Sequence, residues 1–279
     1  MTPVARDEIV IDARRGHSFA RDLADIWNTR ELMWMFAVQR VAVRYKQAGL
    51  GKLWAPLQPI ITTIVFSVVF GVLARIPSEG TIPYPVFVFT GLLMWQYFAR
   101  AVVDGSDSLV SNASVISKVY FPRLILPFTA AIAAAIDFAI AFVVLIGLML
   151  VFGMVPGWTI LFVPVIVLLG GLLGAGISLV LAPINAIYRD VGFALPFLMQ
   201  MGMFLTPVIY PVSFIPDEFA WLYLLNPAAT LLNGMRWAVI GGEMPGAAAW
   251  AILLAYIAFF LVFGRAVFRR LEATLVDRI

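Results

Sequence analysis

Six long stretches that are almost free of charge constrain this chain more than any other feature of its sequence. No Asp, Glu, Lys or Arg occurs in residues 53–74, 80–99, 154–188, 191–216 or 247–264, and residues 124–153 contain only Asp137. About 20 apolar residues in helical form cross the hydrocarbon core of a bilayer, whereas barrel strands alternate with period two, which these stretches do not. We therefore predict six membrane-spanning helices, at about 54–74, 85–103, 125–152, 159–183, 193–213 and 247–267.

The composition supports an all-α membrane protein and excludes several kinds of chemistry. Apolar residues make up 62% of the chain and charged residues 13%, whereas a soluble domain is about half apolar and a quarter charged. The chain has no cysteine and a single histidine, His17, in a polar N-terminal stretch. Disulfides, zinc-thiolate sites, iron–sulfur clusters and thiol nucleophiles are excluded, and so are a histidine metal cage and a Ser-His-Asp triad within the membrane. We expect no metal site.

The positions of the basic residues predict the topology. Seventeen of the 19 Lys and Arg residues lie in residues 1–53, 100–123, 184–192 and 265–279. Cytoplasmic segments carry an excess of Lys and Arg, so we expect both termini of this multi-pass membrane protein to be cytoplasmic. The remaining basic residues, Arg75 and Arg236, are then on the outer side.

Residues 19–52 are too charged to span a membrane, but they contain an amphipathic pattern. Trp34, Val38, Val41 and Tyr45 form one helical stripe, and the opposite side carries Arg40, Arg44 and Lys46 with Gln39 and Gln47. This pattern predicts a helix in the membrane interface, with its aromatic residues toward lipid and its cations toward headgroups and cytoplasm. Such a helix could be a passive anchor, or it could also contact a cytoplasmic partner.

Several motifs resemble one family closely. Residues 42–60 read AVRYKQAGLGKLWAPLQPI, and they are followed by NASVISKVYFPR at 112–123, YRDVG at 188–192, TPVIYP at 206–211 and LNP at 225–227. In this order the motifs resemble the permease subunits of polysaccharide ABC exporters, which transport O-antigen, capsule or teichoic acid. The resemblance covers nearly the whole chain.

The resemblance implies the type-2 ABC exporter fold: an N-terminal interface helix, six spanning helices and short re-entrant helices on the outer side. Residues 1–53 would form the cytoplasmic tail and interface helix, and residues 269–279 a second tail. Residues 54–268 would form the membrane domain, with a coupling loop at 104–123 and an outer re-entrant segment at 214–246. The family works as a homodimer with two copies of a separate ATPase subunit.

The chain contains no motif for ATP hydrolysis of its own. The sequence G-x-x-x-x-G-K-[ST] is absent, and the cluster Gly170, Gly171, Gly174 and Gly176 lacks the lysine. Small residues four apart favour close helix packing in membranes, so we expect Gly170, Gly174 and Ser178 to form a packing face. No cofactor is expected on this chain, and ATP and magnesium would belong to the partner ATPase.

The loop after the second spanning helix is a candidate contact for that ATPase. A short helix with an apolar face can dock in a groove of a partner, and in the resembling family this loop moves with the ATPase. A plain connecting loop is the alternative. We expect force transfer through Arg40, Arg44, Lys46, Val115, Ile116, Lys118, Tyr120 and Phe121.

Asp137 and the pair Arg189 and Asp190 are polar features inside or beside the predicted spans. Asp137 is the only carboxylate deep in a predicted span, and it shares a helical face with several alanines, so it should face protein. It could accept structural hydrogen bonds, contact substrate or relay protons, although a relay needs a second ionisable group and none is predicted in the helices. Arg189 and Asp190, at a cytoplasmic turn, could pair to hold that turn, or could simply be solvated.

Aromatic and polar residues in the spans are candidates for a channel lining. Sugar rings stack their C–H faces on aromatic side chains, and their hydroxyls need scattered acceptors, so such a lining would let a glycan slide. Packing or an interfacial belt is the alternative for each aromatic residue. The candidates are Phe66, Phe70, Trp95, Tyr97, Asp137, Gln200, Phe204 and Tyr210.

The resemblance therefore implies a channel subunit, not an enzyme, of an ATP-driven exporter of lipid-linked polysaccharide in the bacterial inner membrane. We expect it to contact membrane lipids and not nucleic acid. Three alternatives stay open. The substrate could be a small hydrophobic compound or lipid, although the Arg-Tyr-Lys-Gln segment (residues 44–47) argues against it. The chain could be an intramembrane enzyme acting on lipid-linked sugars, or a passive channel.

Overall fold

The computed structural model describes residues 19–46 and 53–275, and within those ranges the chain is mostly helical and contains no strand. The helices are α1 (Phe19–Asn28), α2 (Arg30–Lys46), α3 (Trp54–Phe66), α4 (Tyr84–Ser106), α5 (Ser108–Ser111), α6 (Ala113–Ile116), α7 (Ile125–Val151), α8 (Val163–Ile187), α9 (Asp190–Leu205), α10 (Ala220–Leu225), α11 (Pro227–Ile240) and α12 (Ala247–Leu275). A π-helical stretch, Ser67–Leu73, continues α3, and a 3-10 turn, Trp158–Phe162, leads into α8. Two shorter 3-10 turns, Val212–Phe214 and Asp217–Phe219, precede α10.

Within the described residues, five helical segments are long and apolar enough to cross a membrane. They are Pro56–Leu73, Tyr84–Ser106, Ile125–Val151, Trp158–Ile187 and Ala247–Glu272. They agree with five of the six predicted spans. Helix α12 begins at Ala247, as predicted, but it runs beyond the predicted end at residue 267 to Leu275.

The sixth predicted span, 193–213, is shorter than expected. Helix α9 has 16 residues and ends at Leu205, which gives about 24 Å at 1.5 Å per residue, less than the roughly 30 Å of the hydrocarbon core. Thr206 is already extended, with ψ of 140°. The next residue is Pro207, and a residue before proline is disfavoured in the helical region. The predicted extension to residue 213 is therefore wrong, and a sixth crossing stays a prediction.

Helix α4 lies at the centre of the bundle, where it packs against α7, α8 and α11. The contact with α8 is close because small residues face each other. An added Cβ on Gly174 would lie 2.7 Å from the Ala101 Cβ, and the Ser178 hydroxyl donates to the Ala101 carbonyl at 3.2 Å. The structure confirms the predicted packing face on α8.

The first two helices are attached to the bundle at one end. Asp22 of α1, 4% exposed, accepts hydrogen bonds from Arg265 and Arg269 of α12. Helix α2 packs against α7 and buries Met33 and Ala37. We call this the α2 end of the bundle; α4 runs from here to the opposite end, where it contacts α11.

Candidate functional site

A cluster of paired charges joins α2 to the bundle. Asp137 on α7, 6% exposed, accepts hydrogen bonds from Arg44 of α2 and, at 2.8 Å, from Nη1 of Arg100 on α4. Arg44 also donates from Nη2 to Oδ2 of Asp104 at 2.5 Å, and Arg100 donates from Nη2 to Oε1 of Gln58 at 3.1 Å. We call these five residues the charge cluster. Charges are tolerated away from water when they are paired and hydrogen-bonded.

The charge cluster corrects two predictions. We expected Arg44 to face headgroups and cytoplasm, but a carboxylate near the membrane interior needs a cationic partner, and Arg44 is within reach of two carboxylates. We also predicted no second ionisable group in the helices, although the predicted span 85–103 contains Arg100, and we placed residue 104 in the coupling loop. Helix α4 continues to Ser106 and includes both Arg100 and Asp104. The spacing of those two residues, four apart, puts them on one helical face. That spacing was the missed signal in the sequence.

The charge cluster lies at one end of a groove between α3, α4 and α9. This inner groove has a volume of about 450 Å³, and it brings together three predicted channel residues, Phe66, Trp95 and Gln200. Arg100 and Asp104 line the same groove. Its other lining residues include Gln58, Thr62, Gln96, Met199 and Met203. Aromatic faces, amides and charged groups thus share one surface, which suits a substrate with both apolar faces and hydroxyl groups.

Phe204 and Tyr210 line a second cavity, at the C-terminal end of α9. This aromatic cavity measures about 590 Å³ and also includes Phe214, Phe219 and Tyr223. The Tyr210 hydroxyl donates to the Phe204 carbonyl at 3.1 Å. Asn226, from the LNP motif, lines the cavity too; its Oδ1 accepts from the Ala228 N–H at 3.0 Å and caps α11.

Tyr97 and Phe70 are placed differently from the other channel candidates. Tyr97 is 4% exposed, and its hydroxyl donates to the Val167 carbonyl of α8 at 2.9 Å. It is therefore a packing residue between α4 and α8, because a phenol there can satisfy its hydroxyl only against the neighbouring backbone. Phe70 lies on the π-helical stretch and packs edge-on against Phe66, with ring centroids 5.5 Å apart.

The coupling loop divides into a buried and an exposed part. Val115 and Ile116 pack partly buried against the cluster that contains Phe121, and the Phe121 ring meets the Phe36 ring of α2 edge-on at 5.5 Å. Tyr120 is 80% exposed. Lys118 beside it, and Lys46 at the end of α2, are exposed as well.

Arg40 connects α2 to the same loop. Its guanidinium donates to the Asp104 carbonyl at 3.2 Å and to the Ser111 hydroxyl at 3.1 Å, so Arg40 is held against the bundle and is only partly exposed. Burial lowers the pKa of Arg40. A cavity of about 380 Å³ lies between α2 and this loop, next to Arg40 and Val115.

Arg189 and Asp190 are both exposed at the start of α9. Asp190 occupies the first turn of the helix, where a negative charge favours the helix dipole. Burial raises the pKa of Asp107, at the end of α4, and the charges of Arg40 and Arg189 oppose that rise. Arg189 therefore acts electrostatically on the same end of the bundle as α2.

Comparison with known proteins agrees with this arrangement. Residues 31–240 match the family described as ABC-2 type transporter. The chain belongs to this ABC-2 transporter membrane family. The matched region begins in α2 and ends with α11, so it includes the charge cluster, the inner groove and the coupling loop.

Several relatives of this ABC-2 chain are named as O-antigen export permeases or as polysialic acid transport proteins. It is 27% identical over 245 residues to the O-antigen export system permease protein RfbA of Klebsiella pneumoniae, covering 87% of this chain and 92% of the relative. It is 29% identical to RfbA of Myxococcus xanthus over 77% of this chain and 83% of the relative. It is 26% identical to the polysialic acid transport protein KpsM of Escherichia coli, over 86% of this chain and 93% of the relative.

Proposed function

We propose that this chain is the channel-forming permease subunit of an exporter that moves lipid-linked polysaccharide, of O-antigen or capsule type, out across the bacterial inner membrane. The observation that carries the proposal is the position of the charge cluster. It lies at the end of the inner groove and includes Arg44 of α2, so a movement of α2 is transmitted directly to groove residues. The names of the relatives indicate the class of substrate.

The energy for transport comes from a separate ATPase subunit, which also holds ATP and magnesium. Its docking surface is the α2 end of the bundle, where Lys46, Lys118 and Tyr120 are exposed and the cavity beside Arg40 is open. Phe121 and Arg40 would pass a displacement of the loop to α2, and Arg44 would pass it on to the groove. In the proposed orientation this end of the bundle, where Asp22 of α1 contacts Arg269 of α12, faces the cytoplasm, as the distribution of basic residues predicts.

Two copies of the chain enclose the channel, together with two copies of the ATPase. Helices α3 and α9 border the inner groove, yet α9 and α3 with its π-helical continuation leave large apolar side chains exposed, such as Ile64, Val68, Phe193 and Phe197. Exposed apolar side chains in such number mark a contact with lipid or with another subunit. A second copy placed against it would convert the open groove into an enclosed path. The outer segment 214–246 would shape the exit.

The proposal is tested by separating export from ATPase assembly. The chain and its ATPase are purified together, and glycan export into proteoliposomes is measured with the rate of ATP hydrolysis. Val119→Asp with Tyr120→Asp removes the exposed apolar surface of the loop without touching the buried Phe121. Because a charged residue weakens an apolar contact, we expect loss of ATPase co-purification and of export.

Val155→Asp is the matched control, since Val155 is 81% exposed in the connection that follows α7, at the end away from the coupling loop. It should leave both assembly and export unchanged. Undiminished export by the loop variant would contradict the coupling role. Export by the chain alone, without any ATPase, or export of a small lipid in place of glycan, would contradict the proposed function itself.

A further inference from the structure

A buried arginine at the opposite end of the bundle has hydrogen-bonding groups that the described residues do not satisfy. Arg236 of α11 is 1% exposed, and its guanidinium lies 3.8 Å above the centroid of the Phe87 ring. Nη2 donates to the Val208 carbonyl at 2.9 Å, but Nε and Nη1 have no hydrogen-bond acceptor in the described part of the chain. Buried polar groups of this kind are normally satisfied, so an acceptor is missing.

The nearest carboxylate does not fill that role. Oε1 of Glu79 is 3.9 Å from Nη1 of Arg236, beyond the roughly 3.2 Å limit of a good N–H···O hydrogen bond. Burial lowers the pKa of Arg236 to about 10, and the charge of Glu79 opposes that decrease. The guanidinium is therefore a cation at neutral pH, and its position needs polar partners that the chain supplies only in part.

Arg236 and Glu79 line a cavity of about 690 Å³, which falls within the roughly 300–1,000 Å³ of small-molecule sites. The other polar side chains in its wall are Ser78, Thr81, Ser213, Tyr223, Asn233 and a second carboxylate, Glu243. The Tyr223 hydroxyl is also buried without a partner among the described residues. Two side chains on separate helices thus present unsatisfied groups at one outer cavity.

The outer cavity adjoins the aromatic cavity. Tyr223 lines both of them, and the aromatic cavity contains Phe204 and Tyr210. If glycan leaves the channel past Phe204 and Tyr210, the next polar surface it meets is formed by Tyr223, Glu79 and Arg236.

We propose that the outer cavity is an exit subsite that binds a neutral, hydroxyl-rich sugar residue of the emerging glycan. This inference rests on the proposed function. A sugar hydroxyl can accept from the Arg236 guanidinium and donate to the Glu79 carboxylate at once, which bridges the 3.9 Å gap between them. An anionic ligand would pair with Arg236 but would be repelled by Glu79, so the pair selects against phosphate and carboxylate groups.

The absence of cysteine from the chain allows a direct test. Ser213→Cys places a single thiol in the wall of the outer cavity. Its rate of labelling by a membrane-impermeant maleimide is measured in cells that export glycan and in cells whose glycan synthesis is switched off. If glycan occupies the cavity, labelling should be at least about threefold slower during export, the order of effect expected of one or two hydrogen bonds.

Val155→Cys, exposed in the connection that follows α7, is the control and should label at the same rate in both kinds of cell. Tyr223→Phe removes only a hydroxyl, and Glu79→Gln removes only a charge, so neither should prevent folding. Each, combined with Ser213→Cys, should reduce the protection. Arg236→Lys should also reduce the protection of the Ser213→Cys thiol, provided that the variant protein folds.

Equal labelling of the Ser213→Cys thiol with and without glycan, in cells that still export, would overturn the exit subsite while leaving the proposed function intact. Protection that persists in both Tyr223→Phe and Glu79→Gln would also overturn it. Continued export of surface glycan after deletion of the chain would instead overturn the proposed function. The measurements therefore distinguish the two failures.

Discussion

Arg44 of α2 donates a hydrogen bond to the Asp137 carboxylate of α7, across 93 residues of sequence. Asp137 is the only charged residue of α7, so this contact is the only ion pair that α2 can form with that helix. Asp104 and Arg100 extend the contact to α4. A helix that looks like a surface anchor is thus connected by charge to the centre of the fold.

The first prediction concerns this pair. Arg44→Gln and Asp137→Asn should each lower the thermal stability of the detergent-solubilised protein and reduce export, because each removes a charge-assisted hydrogen bond and unbalances the charges of the partly buried cluster. The double variant should lose less free energy of unfolding than the two single variants lose in sum, by about 1–3 kcal/mol, because residues in one network are coupled. Additive effects would contradict a direct interaction. Arg30→Gln is the control, since Arg30 contacts only the Trp27 carbonyl and ring within the described residues.

The second prediction concerns the packing of α4 and α8. Gly174→Ala brings a methyl group to 2.7 Å from the Ala101 Cβ, so helices must separate, and we expect about 1–3 kcal/mol of destabilisation. Gly147→Ala in α7 meets no described atom within 4 Å outside its own helix. It should be neutral or slightly stabilising. Thermal unfolding of the two variants, followed by tryptophan fluorescence, checks the difference; equal midpoints would contradict the close contact.

The third prediction separates channel residues from packing residues. Gln200→Leu removes a polar group from the exposed wall of the inner groove, so it should slow export with little change in stability. Tyr97→Phe removes the hydrogen bond to the Val167 carbonyl. It should cost about 1 kcal/mol of stability and leave the export rate unchanged. Initial export rates of the two variants are compared at equal protein levels. Slower export by Tyr97→Phe at unchanged stability would instead indicate that Tyr97 lines the channel.

The fourth prediction concerns the link between the coupling loop and α2. Phe121→Ala removes the edge-on contact with Phe36, an interaction worth about 0.5–1.5 kcal/mol beyond burial. ATP hydrolysis should continue, but less glycan should be exported per ATP, because the loop no longer moves α2. Phe121→Leu, which keeps most of the apolar volume, should restore part of the ratio of glycan exported to ATP hydrolysed. An unchanged ratio in the alanine variant would exclude this route.

The sequence by itself determined the class of the molecule and the approximate extent of most helices. Charge-free runs of about 20 residues have one stable arrangement in a bilayer, because every backbone polar group must be satisfied within the segment. The absence of a phosphate-binding motif and of cysteine likewise excluded whole classes of chemistry. The small-residue face of α8 was readable too, since Gly170, Gly174 and Ser178 follow helical spacing.

Only the tertiary structure decided which polar residues meet. Arg44, Arg100, Asp104 and Asp137 lie on three helices, and their pairing depends on how α2, α4 and α7 cross. Periodicity gives the face of a side chain but not the element opposite it, which is why Tyr97 was assigned to a channel and Arg44 to the cytoplasm. The outer cavity beside Arg236 depends in the same way on loops and short helices that carry no periodic pattern.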